Sequence, residues 1–160
     1  MNKGKKKEMS EEFKGIEPMI CDSKISVPYS WWAGETATKF LSSLRDDKKL
    51  LAVSCSDCGK SFVPPRKVCP TCFTDNTDWK ELSGKGTIQS FTVARRQLAS
   101  IPQKVPVIYA LVKLDDADTA MLHFIEGVEP EQVTIGMAVE AQFAEKRNGT
   151  IQDIACFRPV

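Results

Sequence analysis

Four cysteines in two close pairs carry the strongest chemical signal in this chain: Cys55-Ser56-Asp57-Cys58-Gly59 and Cys69-Pro70-Thr71-Cys72. Each pair is C-x-x-C, and ten residues separate Cys58 from Cys69. A C-x-x-C turn aims two thiolates at one point while backbone N–H groups stabilise their charge. Two such turns facing each other close a tetrahedral shell of the kind zinc prefers, with zinc–sulfur distances of about 2.3 Å. Gly59 supplies the left-handed residue that such a turn favours. All four positions are thiolates, so none stays open for a substrate. The ion is expected to be structural, contributing to the folding of a ribbon with little core of its own. A rubredoxin-like iron site uses the same four ligands, so the spacing leaves zinc and iron both open, with zinc preferred. Two adjacent disulfides do not suit a reducing compartment.

Other reactive groups are sparse. Cys21 and Cys156 stand outside the set and read as buried or half-buried apolar residues. The single histidine, His123, sits in Ala120-Met121-Leu122-His123-Phe124-Ile125, where a strand would hold it as a satisfied or surface imidazole. There is no nucleophile elbow and no pair of catalytic carboxylates, and Gly84-Lys85-Gly86-Thr87 lacks the spacing of a phosphate-binding loop. A chain so equipped is not expected to catalyse alone.

The elements that must position the cysteines follow from pattern. Residues 1–27 read as a flexible Lys-rich leader that includes Lys3, Lys5, Lys6 and Lys7. Pro28 and Ser30 precede an aromatic pair, Trp31 and Trp32, which either packs in the core or anchors in a partner's groove. A helical segment over 28–48 is predicted, with Thr36 as N-cap and Phe40 and Leu44 on one face. The ribbon is assigned to 49–82: Leu50, Leu51 and Val53 form a strand into the first cysteine pair, and Trp79 to Leu82 form another after the second. Residues 83–160 form the last domain, with strands at about 87–95, 106–114, 119–126, 138–144 and 150–157 separated by Gly, Pro and Asp punctuation. Asn148-Gly149 between Phe143 and Ile151 is a hairpin signal. Five strands in so short a stretch predict a mainly β protein: a four-cysteine ribbon followed by a five-stranded OB-like barrel.

A net charge of +1 gives no global attraction to nucleic acid or membrane. No apolar run approaches the roughly 20 residues that span a bilayer. The basic start runs into Glu8, Ser10, Glu11 and Glu12 rather than an apolar signal core, so a cytoplasmic protein is expected.

Taken together, Cys55-x-x-Cys58-Gly59, Phe62-Val63-Pro64-Pro65-Arg66, Cys69-Pro70-x-Cys72, Trp79, Ser83-Gly84-Lys85-Gly86-Thr87 and Ile135-Gly136-Met137-x-Val139 resemble the DUF35 family of rubredoxin-like zinc ribbons joined to OB domains. The resemblance spans roughly residues 28 to 145. It implies a non-catalytic scaffold that docks on a thiolase-like enzyme acting on acyl-CoA, as in the benzoylsuccinyl-CoA type, and that helps form the CoA site. On that implication Arg66 and Lys67 are candidates for CoA phosphates, Phe62 and Phe91 for the pantetheine arm, and Arg95, Arg96 and Lys104 for a second basic patch. Trp31 and Trp32 are the candidate partner anchors. The alternative is a single-stranded nucleic-acid binder, since OB folds and ribbons also serve that role. Asp115, Asp116, Asp118, Glu126, Glu129 and Glu131 around one strand pair would repel phosphate and count against it.

Overall fold

The structure is a computed structural model and describes residues 15–17, 19–20, 26–97 and 103–160. The lysine cluster of the leader and Cys21 lie outside those residues. The chain divides into two units, Met1–Trp31 and Trp32–Val160. The described part of the first has no helix or strand. Its Tyr29 and Trp31 rings meet edge to face, 5.5 Å apart.

In the second unit, α1 runs from Gly34 to Asp47. Thr36 does not cap it. The helix already begins at Gly34, Ala33 takes the cap position, and no side chain bonds the free N–H groups there. Phe40 and Leu44, one turn apart, form its buried face. Lys48 turns left-handed at φ 56° and returns its N–H to the Ser43 carbonyl, which ends the helix.

Three short strands form the ribbon: β1 (Leu50–Ser54), β2 (Ser61–Phe62) and β3 (Asp78–Leu82), antiparallel in the order β2-β1-β3. Five more close a barrel in the order β4-β5-β6-β8-β7: β4 (Lys85–Ala94), β5 (Val107–Leu114), β6 (Ala120–Ile125), β7 (Ala138–Phe143) and β8 (Ile154–Pro159). Among the described residues only β6 and β8 pair in parallel. This is the expected OB barrel. Closure removes the free strand edges that would otherwise invite aggregation. Gly86 is required for it: a Cβ there would strike the Lys113 carbonyl oxygen and come within 2.8 Å of Leu114 Cα.

The last hairpin differs from its sequence signal. Phe143 pairs with Ile154, so the connection from β7 to β8 is long rather than a two-residue Asn148-Gly149 turn. Asp153 explains the difference. Its buried carboxylate accepts the N–H groups of Asn148 and Gly149 at 2.9 and 2.8 Å, drawing the loop around itself. The strand expected at 150–157 therefore starts later, after a 3-10 turn over Ile151–Asp153.

Ribbon and barrel share one core. It runs from Phe40 and Leu44 through Leu50, Ala52, Val63 and Leu82 into Ile88, Val112, Val139 and Phe157. A polar latch reinforces the joint. Asp118 Oδ2 accepts Ser61 N–H at 2.7 Å, and Ser61 O accepts Asp118 N–H at 2.8 Å. Thr119 Oγ1 accepts Val63 N–H at 2.8 Å and donates to Val63 O at 2.9 Å. Strand β2 is thereby tied to the β5–β6 turn. Asp118, read from sequence as part of a phosphate-repelling cluster, is engaged in this latch.

Candidate metal centre and the surfaces around it

Two matching turns build the cysteine site. In the first, Gly59 N–H reaches Cys55 O at 2.9 Å and Cys55 N–H reaches Lys60 O at 2.9 Å. In the second, Phe73 N–H reaches Cys69 O at 3.0 Å and Cys69 N–H reaches Thr74 O at 2.9 Å. Gly59 (φ 71°) and Phe73 (φ 60°) hold equivalent left-handed positions. The four sulfurs converge within 4.8 Å of one another. Cys58 and Cys69 Sγ lie 3.8 Å apart. A tetrahedron with metal–sulfur bonds of about 2.3 Å has sulfur–sulfur edges of about 3.8 Å, so the site fits a zinc-sized ion.

The electrostatics agree. The Cys58 backbone N–H, with help from the Thr74 hydroxyl 3.6 Å away, holds the Cys55 pKa down at about 6. Its neighbour Cys72 is pushed up to about 12, chiefly by Cys58, then by burial and the other sulfurs. Four thiolates this close repel one another, and a dication at their centre removes the conflict. Behind the site, Val53, Cys55, Phe62 and Cys69 form a small apolar cluster of their own, with Trp79 against it.

Phe62 is therefore corrected as a surface candidate. It is 3% exposed because its ring fills the ribbon cluster. Arg66 and Lys67 are exposed on the ribbon, while Phe91 is exposed on β4 of the barrel. Arg95 is paired with Glu131 at 2.9 Å, which neutralises part of the second basic candidate. Trp31 and Trp32 are 84% and 82% exposed.

His123 is buried inside the barrel rather than on the surface. Its Nδ1 accepts Phe124 N–H at 2.9 Å and its Nε2 meets Ile151 O at 3.3 Å, which together select the neutral tautomer. Burial pushes its pKa down. Cys156 is buried too, and burial raises its pKa, as for an inert core thiol.

Sequence reasoning passed over Asn76, Lys39 and Trp79 as a group. Lys39 Nζ on α1 sits 4.3 Å above the Trp79 ring, and Asn76 ties the second knuckle together through Arg66 O and Lys67 O. No local pattern joins a helix residue to a knuckle residue so far along the chain.

Residues 43–78 match the family model of the ChsH2 rubredoxin-like zinc ribbon domain, and residues 79–144 match that of the ChsH2 C-terminal OB-fold domain. A DUF35 domain-containing scaffold protein of Methanocaldococcus jannaschii is 32% identical over 96 residues, covering 59% of this chain and 67% of that protein. A probable enoyl-CoA hydratase alpha subunit of Thermomonospora curvata is 29% identical over 98 residues, 61% of this chain but 30% of that protein. Among solved structures, an Ltp2-ChsH2(DUF35) aldolase chain superposes with a TM-score of 0.60 at 26% identity, over 76% of this chain and 91% of that one.

Proposed function

Because this chain belongs to the DUF35 family, with the ChsH2 ribbon and barrel in the same order, we propose that it is a non-catalytic scaffold subunit of a thiolase-like acyl-CoA enzyme complex. The observation that carries the reading is the exposed aromatic run Tyr29, Trp31 and Trp32. Large aromatics left in water are costly to a lone chain and are favoured anchors at interfaces. A second exposed apolar strip supports it: Leu111 on β5 lies directly opposite Leu122 on β6, at 40% and 60% exposure on the outside of the barrel.

Thiolase-type chemistry needs an activated thiol and acid–base groups. In this chain the one histidine is committed to the core, and the four clustered thiols suit a closed structural metal site. The partner would therefore supply the reacting groups. The scaffold name of the archaeal relative favours the non-catalytic role, and the CoA enzyme name of the Thermomonospora relative favours acyl-CoA chemistry. Within such a complex Arg66, Lys67 and Phe91 are the side chains offered to CoA, and Trp31 and Trp32 those offered to the partner subunit.

The test is co-expression with thiolase-fold proteins from the same source, followed by pull-down and an assay of CoA-dependent cleavage. Co-purification with activity that neither part shows alone is the expected result. No thiolase-fold partner, together with retention of single-stranded DNA or RNA at physiological salt, would overturn it.

A further inference from the structure

The exposed aromatics before α1 sit in an arm that carries no charge. From Ile25 to Gly34 there is no Asp, Glu, Lys or Arg, in a chain that is 27% charged. Val27, Tyr29 and Trp31 alternate with Ser26, Pro28 and Ser30, so an extended arm presents one apolar side and one polar side. Pro28 favours that form, because the residue before a proline is held away from helix. The Tyr29 and Trp31 rings, two residues apart, already meet edge to face. Val27, Tyr29, Trp31 and Trp32 are all exposed.

The barrel offers a matching surface. On its outer face Ser90, Leu111 and Leu122 lie in one row across β4, β5 and β6, and Thr92, Tyr109 and Phe124 lie in the next. None of the six is charged and none is buried. Between them in sequence, Ala110, Met121 and His123 are buried, which fixes Tyr109, Leu111, Leu122 and Phe124 on the outer side of the sheet. The Tyr109 and Phe124 rings pack 5.1 Å apart and extend the apolar strip of Leu111 and Leu122 by one row.

Apolar surface of this kind is unfavourable to leave in water, and uncharged patches mark contact surfaces. Arm and face are each exposed in the single chain. A second copy carries the complement of both: its face takes the arm, and its arm takes the face. Such a reciprocal exchange closes with two-fold symmetry and leaves neither surface over. Residues 26–32, fully extended, reach about 23 Å. That is enough to cross three strands spaced about 4.8 Å apart. Each aromatic ring of the arm buries roughly 150–250 Å². Two arms, with the faces they cover, then bury on the order of 1,200–2,000 Å², the size of a standard stable interface. Ordering both arms offsets part of that gain and places the expected Kd at about 1–10 µM.

We infer that the chain without its partner subunit is a homodimer in which the apolar side of each arm, Val27, Tyr29 and Trp31 with Trp32 beside them, lies on the Leu111–Leu122 face of the other copy. The partner subunit of the proposed complex uses the same residues, so it competes with the second copy. That competition rests on the subunit reading; the dimer does not, and its test uses this chain alone.

Sedimentation velocity of the metal-loaded full chain, in reductant and over about 1–100 µM, measures the association. Two variants are compared with it: Tyr29→Ser with Trp31→Ser in the arm, and Leu122→Glu on the face. Both change exposed side chains, and circular dichroism with metal content checks that each is folded. A concentration-dependent dimer that persists in about 1 M sodium chloride is expected of the native chain, since an apolar contact is not screened. Each variant alone should associate at least about tenfold more weakly. An equimolar mixture of the two should associate more tightly than either alone, because the arm of the face variant still fits the face of the arm variant. A native chain that is monomeric at about 100 µM, a variant that dimerises as tightly as the native chain, loss of the dimer in salt, or a mixture no tighter than its parts would each overturn the inference.

Discussion

Replacing Thr119 by Val tests whether the latch between ribbon and barrel sets the joint. The two side chains have nearly the same shape, but valine cannot bond. Val63 would lose its acceptor at 2.8 Å and its donor at 2.9 Å together, at a residue 1% exposed. Each orphaned backbone group costs roughly 1–3 kcal/mol, so the pair costs about 2–4 kcal/mol once partial relaxation is allowed. That is a large share of the 5–15 kcal/mol typical of a folded domain. Thr119→Ser keeps both bonds and loses one methyl, at a cost near 1 kcal/mol. Urea unfolding of the metal-loaded chain, followed by Trp fluorescence and by circular dichroism, measures both variants. The valine variant should lose midpoint with its slope unchanged, and lose clearly more than the serine variant. Equal losses would refute the latch and leave the shared apolar core as the whole joint.

Metal removal by a strong chelator should release one equivalent of metal and expose four titratable thiols, while the far-ultraviolet signal of the barrel persists; metal analysis of the purified chain should find zinc rather than iron. Buried, neutral His123 has a lowered pKa, so its contribution to stability is complete above about pH 6.5 and is lost as pH falls toward the folded value. Stability should fall by up to about 1.4 kcal/mol per pH unit in that window, and a His123→Leu variant should flatten the dependence. Gly86→Ala should destabilise by about 2–3 kcal/mol in thermal unfolding, because its Cβ meets rigid backbone at Lys113 and Leu114. Trp31→Ala and Trp32→Ala should change stability by less than about 0.5 kcal/mol, since both rings stand in solvent, yet weaken capture of a partner subunit about tenfold or more.

The sequence by itself determined what local chemistry can dictate. A C-x-x-C turn closes through bonds four residues apart, Gly59 to Cys55 and Phe73 to Cys69, so the ligand set was legible without knowing the fold. Gly, Pro and Asp punctuation marked out the barrel strands, and within them a half-buried strand turns every second side chain inward, as Val139 and Ala141 do. Chain ends and caps were less legible. Thr36 lost its cap role because the helix begins two residues earlier, at Gly34, and Asn148-Gly149 lost its tight turn to a buried carboxylate that no turn pattern encodes. Only the tertiary structure decided the rest. Asp118 meets Ser61 across 57 positions of chain, and Lys39 meets Trp79 from a different element. Such pairs carry no periodicity, since they exist only after β2 has docked on the β5–β6 turn and α1 has covered the ribbon. The burial of Phe62 and His123, and the exposure of Trp31 and Trp32, follow from the same cause: which apolar side chain reaches the core is settled by packing, not by its own hydrophobicity.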